Sequence, residues 1–369
     1  MILKYIDNTI LNKVKEFIKQ WNNERDYVIG HTSGSTGVPK EVKLFKSDMI
    51  ESAKLTNKYF NITSKTNLLL CLSPEYIAGK MQIIRTICAD ATLICINPSS
   101  HPITTIKSTA IDNIIIDYAN CKIENGIPKV KFTYENSVLT KENTIDISKP
   151  IIDFGAMVPL QAEKDINNLD VINKLIIGGA PISRNLYNKL QNTKTQCFST
   201  YGMTETVSHI ALKAINLNKS QDNDSYEAMD DIFFEKDERD CLIIKTNKLK
   251  SRKIITNDII KLIDQKHFIW LGRYDNIINS GGIKFSPESI EVQISQLINK
   301  PFYITSRKNK LLGNEIILVI EDSSWSSKTI ANLIESIKTT LPKYAIPKDI
   351  IFTLTLDRTS SGKLIRKTY

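Results

Sequence analysis

The chain has 369 residues, 41% of them apolar and 24% charged, with a formal net charge of +9. The length allows several packed layers and more than one domain, and the composition is that of a soluble globular protein. No apolar run approaches the roughly 18–20 residues that cross a bilayer, which excludes a helical membrane span.

Met1 to Asp7 contains no basic region followed by an apolar stretch, so no secretory leader is expected. Cys71, Cys88, Cys95, Cys121, Cys197 and Cys241 are scattered without a CxxC pair, as expected of buried, reduced thiols in a cytoplasmic protein. The cations are spread along the chain and form no basic arm. They point to polyanionic small ligands and not to nucleic acid.

In chain order, short β-branched runs alternate with helical patterns, the signature of α/β layering. Strands are expected at Tyr27–Ile29, Leu68–Leu72, Leu93–Ile96, Ile114–Ile116 and Leu175–Ile177. Ser47 is placed as the cap of a helix reaching Phe60, and Ser183 as the cap of one from Arg184 to Leu190. The polar stretch Asn216–Asp240 reads as a loop before a strand at Leu242–Ile244.

Past Asp275 the pattern changes to a compact α+β unit. Ser286 caps a helix that begins with Pro287 and has Ile290, Ile294, Leu297 and Ile298 as its apolar face. Strands at Phe302–Ile304 and Ile316–Ile320 follow. A second amphipathic helix then carries Ile330, Leu333, Ile334, Ile337 and Leu341. The expected division is a large layered α/β domain over residues 1–274 and a small α+β domain over residues 275–369.

The segment richest in chemistry follows the first of these strands: His31, then Thr32-Ser33-Gly34-Ser35-Thr36-Gly37-Val38-Pro39-Lys40. Its glycines let backbone approach a polyanion closely, and its hydroxyls and lysine can donate to phosphate oxygens. It is not a Walker A loop, since Val-Pro-Lys stands where Lys-Ser/Thr would be needed. Further strings follow in order: Gly178-Gly179-Ala180-Pro181, Tyr201-Gly202-Met203-Thr204-Glu205-Thr206, Thr256-Asn257-Asp258 and Gly272-Arg273. Ser280-Gly281-Gly282-Ile283-Lys284 and Arg358-Thr359-Ser360-Ser361-Gly362-Lys363 complete the set.

Together these strings, in this order, resemble the adenylate-forming superfamily of acyl-CoA synthetases, adenylation domains and luciferases. The resemblance covers the chain from about Val28 to Lys367. It implies that the α/β N-terminal domain binds ATP and that the small C-terminal domain is mobile. Thr32 to Gly37 and Lys40 would hold the phosphates. Gly178, Gly179, Ala180, Pro181, Tyr201 and Gly202 would meet adenine. Thr204 would meet the α-phosphate, and Glu205 would hold Mg2+, a hard cation that takes carboxylate and phosphate oxygens.

Asp258 and Arg273 would recognise the ribose. Asn257 stands where the superfamily usually has Gly, a departure that a left-handed backbone would tolerate. Asp275 would be the hinge. Ser280, Gly281, Gly282 and Lys284 would line the tunnel for CoA. Lys363 would be the catalytic cation stabilising charge at the transition state, whereas Arg366 and Lys367 read as a solvated basic tail.

Within the superfamily, the short stretch before the phosphate loop resembles the short o-succinylbenzoate–CoA ligases of menaquinone biosynthesis. So do the strings around Tyr76-Ile77-Ala78-Gly79-Lys80, Ala156 to Gln161 and Thr206 to Leu212. The acid pocket implied contains Tyr76, Lys80, Gln161, Ser208 and His209, with Lys80 and His209 as candidates for a second carboxylate. Other readings stay open: a ligase for another acid, an adenylation domain that loads a carrier protein, or a non-catalytic paralogue. The oligomeric state, a homo-oligomer included, is not legible.

Overall fold

The computed structural model describes residues 1–5, 8–31, 41–108, 115–138, 151–217, 224–358 and 364–369. The predicted phosphate-loop residues Thr32, Ser33, Gly34, Ser35, Thr36, Gly37 and Lys40 lie outside them, as does the predicted catalytic Lys363.

The chain opens with β1 (Ile2–Tyr5), α1 (Asn8–Asn22), β2 (Tyr27–His31), β3 (Glu41–Phe45) and α2 (Lys46–Phe60). Next come β4 (Asn67–Leu70), α3 (Ile77–Ala89), β5 (Thr92–Cys95), α4 (Pro102–Ser108), β6 (Ile115–Glu124) and β7 (Ile127–Val138). Then follow β8 (Ile152–Met157), α5 (Pro159–Lys164), β9 (Ile172–Ile177), α6 (Arg184–Leu190), β10 (Gln196–Gly202) and β11 (His209–Ala214). The short strands β12 (Tyr226–Ala228) and β13 (Ile232–Lys236) precede β14 (Cys241–Thr246), β15 (Lys253–Leu262) and β16 (His267–Arg273).

At the centre, β1, β5, β4, β8, β9 and β10 lie side by side and parallel. Leu68, Leu69 and Leu70 of β4 are fully buried, as expected of strands covered on both faces. On one face Phe60 of α2 meets Phe154 and Phe198 at ring distances of 4.9 and 5.1 Å. On the other, Ala162, Leu186 and Leu190 of α5 and α6 pack against Leu175 and Ile177. Antiparallel strands extend the sheet at both edges, to fourteen in all. The carboxyl ends of the parallel strands open onto one edge, where sheets of this kind bind ligands.

The small C-terminal unit contains β17 (Ile278–Ser280), β18 (Ile283–Phe285), α7 (Pro287–Ile294), β19 (Phe302–Asn309), β20 (Gly313–Glu321), α8 (Ser327–Thr340) and β21 (Asp349–Thr353). Ser286 caps α7, accepting from the Ser289 N–H at 3.3 Å, with Pro287 at the first helical position. The helix ends at Ile294, so Leu297 and Ile298 lie beyond it, although Ile298 remains buried. Both helices pack their isoleucines and leucines on the sheet β19-β20-β21.

Two expectations are corrected. Helix α2 starts at Lys46, before Ser47, because the Lys46 N–H donates to the Asp26 carbonyl at 2.8 Å. The fully buried Lys46 ammonium also donates to the Asn23 carbonyl at 2.7 Å. Ser47 therefore caps nothing. The supposed loop Asn216–Asp240 contains β12 and β13. In β13, Ile232 and Phe234 point inward, while Phe233 is 41% exposed under the Lys266 ammonium. The outward Phe233 hides the period-two alternation.

All six cysteines are free. No helix among the described residues is long and apolar enough to cross a membrane.

Candidate active site

Among the described residues, those predicted for adenine and ribose gather around the end of β10. Gly178 and Gly179 follow β9, and Tyr201 and Gly202 end the adjacent β10. Asp258 on β15 is paired in register with Arg273 on β16. The Tyr201 hydroxyl donates to Asp258 Oδ2 at 2.6 Å, while Oδ1 receives the Trp270 indole N–H at 3.2 Å. Arg273 Nε lies 3.4 Å from the same Oδ1.

Tyr201 is 9% exposed and packs edge-on to Phe268 at 5.0 Å. Burial, with the Asp258 charge next, raises its pKa well above the ordinary value. Tyr201 is thus a core residue as well as a predicted site residue. Thr204 and Glu205 occupy the helical turn after β10. Thr206 closes that turn, its hydroxyl bonded to the Met203 and Ser208 carbonyls. Glu205 is exposed.

Val207 comes next, with a φ of 64° that costs a β-branched residue strain. The Ser208 N–H donates to the Thr206 carbonyl at 2.7 Å across it, a tight γ-turn. The turn leads into a buried polar chain. Arg85 donates to Ser208 Oγ at 2.8 Å; Ser208 Oγ lies 3.4 Å from His209 Nδ1; His209 Nε2 lies 3.2 Å from Thr56 Oγ1. The Thr56 hydroxyl donates to the Ser52 carbonyl. These partners assign the proton of a neutral ring to Nε2. Burial, reinforced by the Arg85 charge, holds the His209 pKa well below the usual range.

Arg85 is a candidate that the sequence reading missed. It is 2% exposed, and among the described residues it has no carboxylate partner and its Nε–H has no hydrogen-bond acceptor. Its remaining contact is a donation to Gln82 Oε1 at 3.2 Å. The signal was present: Arg85 follows Ile83-Ile84 and precedes Ile87 on a helix with few charged neighbours.

The other pocket residues are placed differently from expectation. Lys80 is buried and donates to the Pro74 and Glu75 carbonyls at 2.7 and 3.0 Å, above the Phe17 ring. It lines a cavity of about 400 Å³ against α1. At 100° per residue, five positions put it about 140° around α3 from Arg85. Gln161 is spent as a clamp, donating to the Cys71 and Ser99 carbonyls and accepting from the Val158 N–H. It ties together the ends of β4, β5 and β8. Tyr76 precedes α3 and is 41% exposed.

Around Asp275, Asn257 lies inside β15 with no positive φ, so its departure from Gly needs no left-handed backbone. Its amide instead donates to both Asp275 carboxylate oxygens at 3.1 and 3.2 Å, and Arg273 approaches the same group at 3.4 Å. Gly281 and Gly282, with φ of 60° and 82°, form the two-residue turn joining β17 to β18. Ser280 and Lys284 flank the turn on those strands. Arg366 is no solvated tail: it pairs with Glu291 and donates to the Ile304 carbonyl at 3.0 Å. Lys367 pairs with Asp357 at the surface.

The family model described as AMP-binding enzyme matches residues 6–229. The 2-succinylbenzoate–CoA ligase of Staphylococcus epidermidis is 22% identical over 394 aligned residues, covering 98% of this chain and 73% of that one. A solved acyl-CoA synthetase (AMP-forming)/AMP-acid ligase II-like protein from Dyadobacter fermentans is 26% identical, with a TM-score of 0.58. That match covers 99% of this chain and 97% of the other. The o-succinylbenzoate–CoA synthetase of Bacillus subtilis, solved with ATP and magnesium, shares the fold with a TM-score of 0.68. It is 18% identical over 92% of this chain and 68% of its own.

Proposed function

Because the chain belongs to the AMP-binding enzyme family, we propose that it activates o-succinylbenzoate with ATP and transfers the acyl group to CoA, in the cytoplasm. The observation that carries the choice of acid is Arg85. A guanidinium this buried, with no carboxylate beside it, is costly unless an anion completes the site. A second carboxylate on the substrate supplies that anion, and the named activity of the staphylococcal relative fits such a substrate.

In this reading the nucleotide lies along the carboxyl edge, with its ribose at Asp258 and Arg273 and its adenine near Gly178 to Pro181 and Tyr201. The acid's reacting carboxylate attacks the α-phosphorus, the new O–P bond forming as the bond to pyrophosphate breaks. Thr204, the 32–40 loop and Lys363 would stabilise the charge that builds there. The CoA thiolate then attacks the acyl carbonyl and AMP leaves.

Glu205 fits a magnesium ion. It is exposed, and among the described residues it has no ion-pair partner and no cluster that would make an all-protein metal cage. That suits a cation held by a carboxylate plus substrate phosphates. Bound there, the ion would offset phosphate charge. Residues 1–274 would form the ATP-binding domain. Residues 275–369 would form a lid turning about Asp275, which brings Ser280 to Lys284 to the thiol.

The test is thioester formation with ATP, magnesium and CoA across a panel of acids. o-Succinylbenzoate should exceed benzoate in kcat/KM by roughly tenfold or more, since benzoate leaves buried donors unpaired. Equal turnover of benzoate, or preference for a fatty acid, would refute the substrate and leave adenylation standing. Acylation of a carrier protein without CoA would refute the thiol.

A further inference from the structure

Along a regular strand, residues three apart point to opposite faces of the sheet. Trp270 and Arg273 break this rule, because both reach Asp258 Oδ1. The cause is a slip in the β15–β16 ladder: Ile259 faces Gly272, but Ile260 faces Trp270, so Leu271 has no partner. This β-bulge turns Trp270 onto the face that carries Asp258. Gly272 permits it with a φ of 143°, and a Cβ there would strike the Ser286 hydroxyl and the Glu288 carboxylate. Bulges of this kind re-aim side chains beside active sites.

We propose that Trp270 is a positioning residue whose indole N–H, opposite the Tyr201 hydroxyl, fixes the plane of the Asp258 carboxylate so that it receives the ribose hydroxyls of ATP. This rests on the reading of Asp258 as the ribose acceptor. The three donors around Asp258 are not equivalent. Arg273 is 47% exposed and divides itself between Asp258 and Asp275 at 3.4 Å each, so an incoming hydroxyl can displace it. Tyr201 and Trp270 pack into the core cluster around Phe268 and stay where they are.

Asp258 is 5% exposed, so its orientation is set by these contacts and not by water. An indole is a donor without a charge. It can hold one carboxylate oxygen in place without neutralising the group, and the lone pairs left over keep their strength for the ribose. A flexible cation in the same position would compete for the nucleotide's phosphates.

The test compares ATP with 2′-deoxy-ATP and 3′-deoxy-ATP in the pyrophosphate-exchange assay, using Trp270→Phe, Trp270→His and Asp258→Asn. Trp270→Phe keeps an aromatic ring and removes the N–H. It should raise the KM for ATP about tenfold, the scale of a hydrogen bond to a charged group. It should also reduce discrimination against the deoxynucleotide by a similar factor, with kcat near that of the parent. Trp270→His restores a ring N–H and should recover part of the discrimination, which a purely packing role would not do. If discrimination is unchanged in Trp270→Phe while Asp258→Asn abolishes it, Trp270 is not a positioning residue. If Asp258→Asn is itself silent in an active enzyme, the ribose site is misassigned and the proposal falls with it.

Discussion

Replacing Arg85 with methionine separates the cost of this buried charge from its use. Burial alone lowers the Arg85 pKa from its ordinary value to about 9. A depression of this size corresponds to a cost on the order of 5 kcal/mol. A base with a depressed folded-state pKa is protonated more readily in the unfolded chain. Its charge therefore opposes folding fully below about pH 9, and the effect fades as the pH rises toward the ordinary arginine range. The donations of the charged guanidinium to Gln82 and Ser208 return about 1.5–3 kcal/mol each and at best roughly offset that cost.

Arg85→Met fills a similar volume without the charge, so at pH 7 its melting temperature should equal or exceed that of the parent. Catalysis should move the other way. Losing a charge-assisted contact to the second carboxylate costs roughly 1.5–3 kcal/mol, a rise in KM for o-succinylbenzoate of about tenfold to more than a hundredfold. Benzoate, which has no second carboxylate, should be unaffected. The measurements are thermal unfolding and steady-state kinetics with both acids. A lower melting temperature together with equal losses on the two acids would show that Arg85 serves the fold, and would remove the main support for the substrate.

Three further outcomes follow from the same site. Lys363→Ala should lower adenylation by roughly a hundredfold, as removal of a transition-state donor does, yet convert preformed acyl-adenylate and CoA to thioester normally; near-normal pyrophosphate exchange would overturn its role. Asp275→Pro fixes φ and should impair thioester formation while sparing adenylation; equal loss in both would instead implicate the contacts of Asp275 with Asn257 and Arg273. His209 is held neutral by a depressed pKa, so below the unfolded value of about 6.5 the unfolded chain binds a proton that the native chain refuses. Stability should fall as pH drops below that value, and His209→Gln should flatten the dependence in urea melts between about pH 5 and 7.5.

What could be read from the sequence was what is local to the chain. Strands such as Leu68 to Leu70 are apolar in a run because both faces are covered, and Ser183 and Ser286 cap helices within three residues of themselves. Asp258 and Arg273 could be named from their strings, and ladder register then brought them together. Lys80 and Arg85 show where such reading stops. Both are cations on α3, but which one meets Ser208 before β11 depends on the angle at which the helix packs, and that angle is set by residues far away in sequence. The same holds for Trp270. Counting along β16 assigns it to the face opposite Arg273, and only the slip at Leu271 reverses this. That slip needs Gly272, whose missing side chain leaves room for Ser286 and Glu288 at the start of α7. A contact between the large sheet and the small C-terminal unit thus helps set the position of Trp270 beside Asp258, so the orientation of Asp258 and the seating of α7 are expected to vary together.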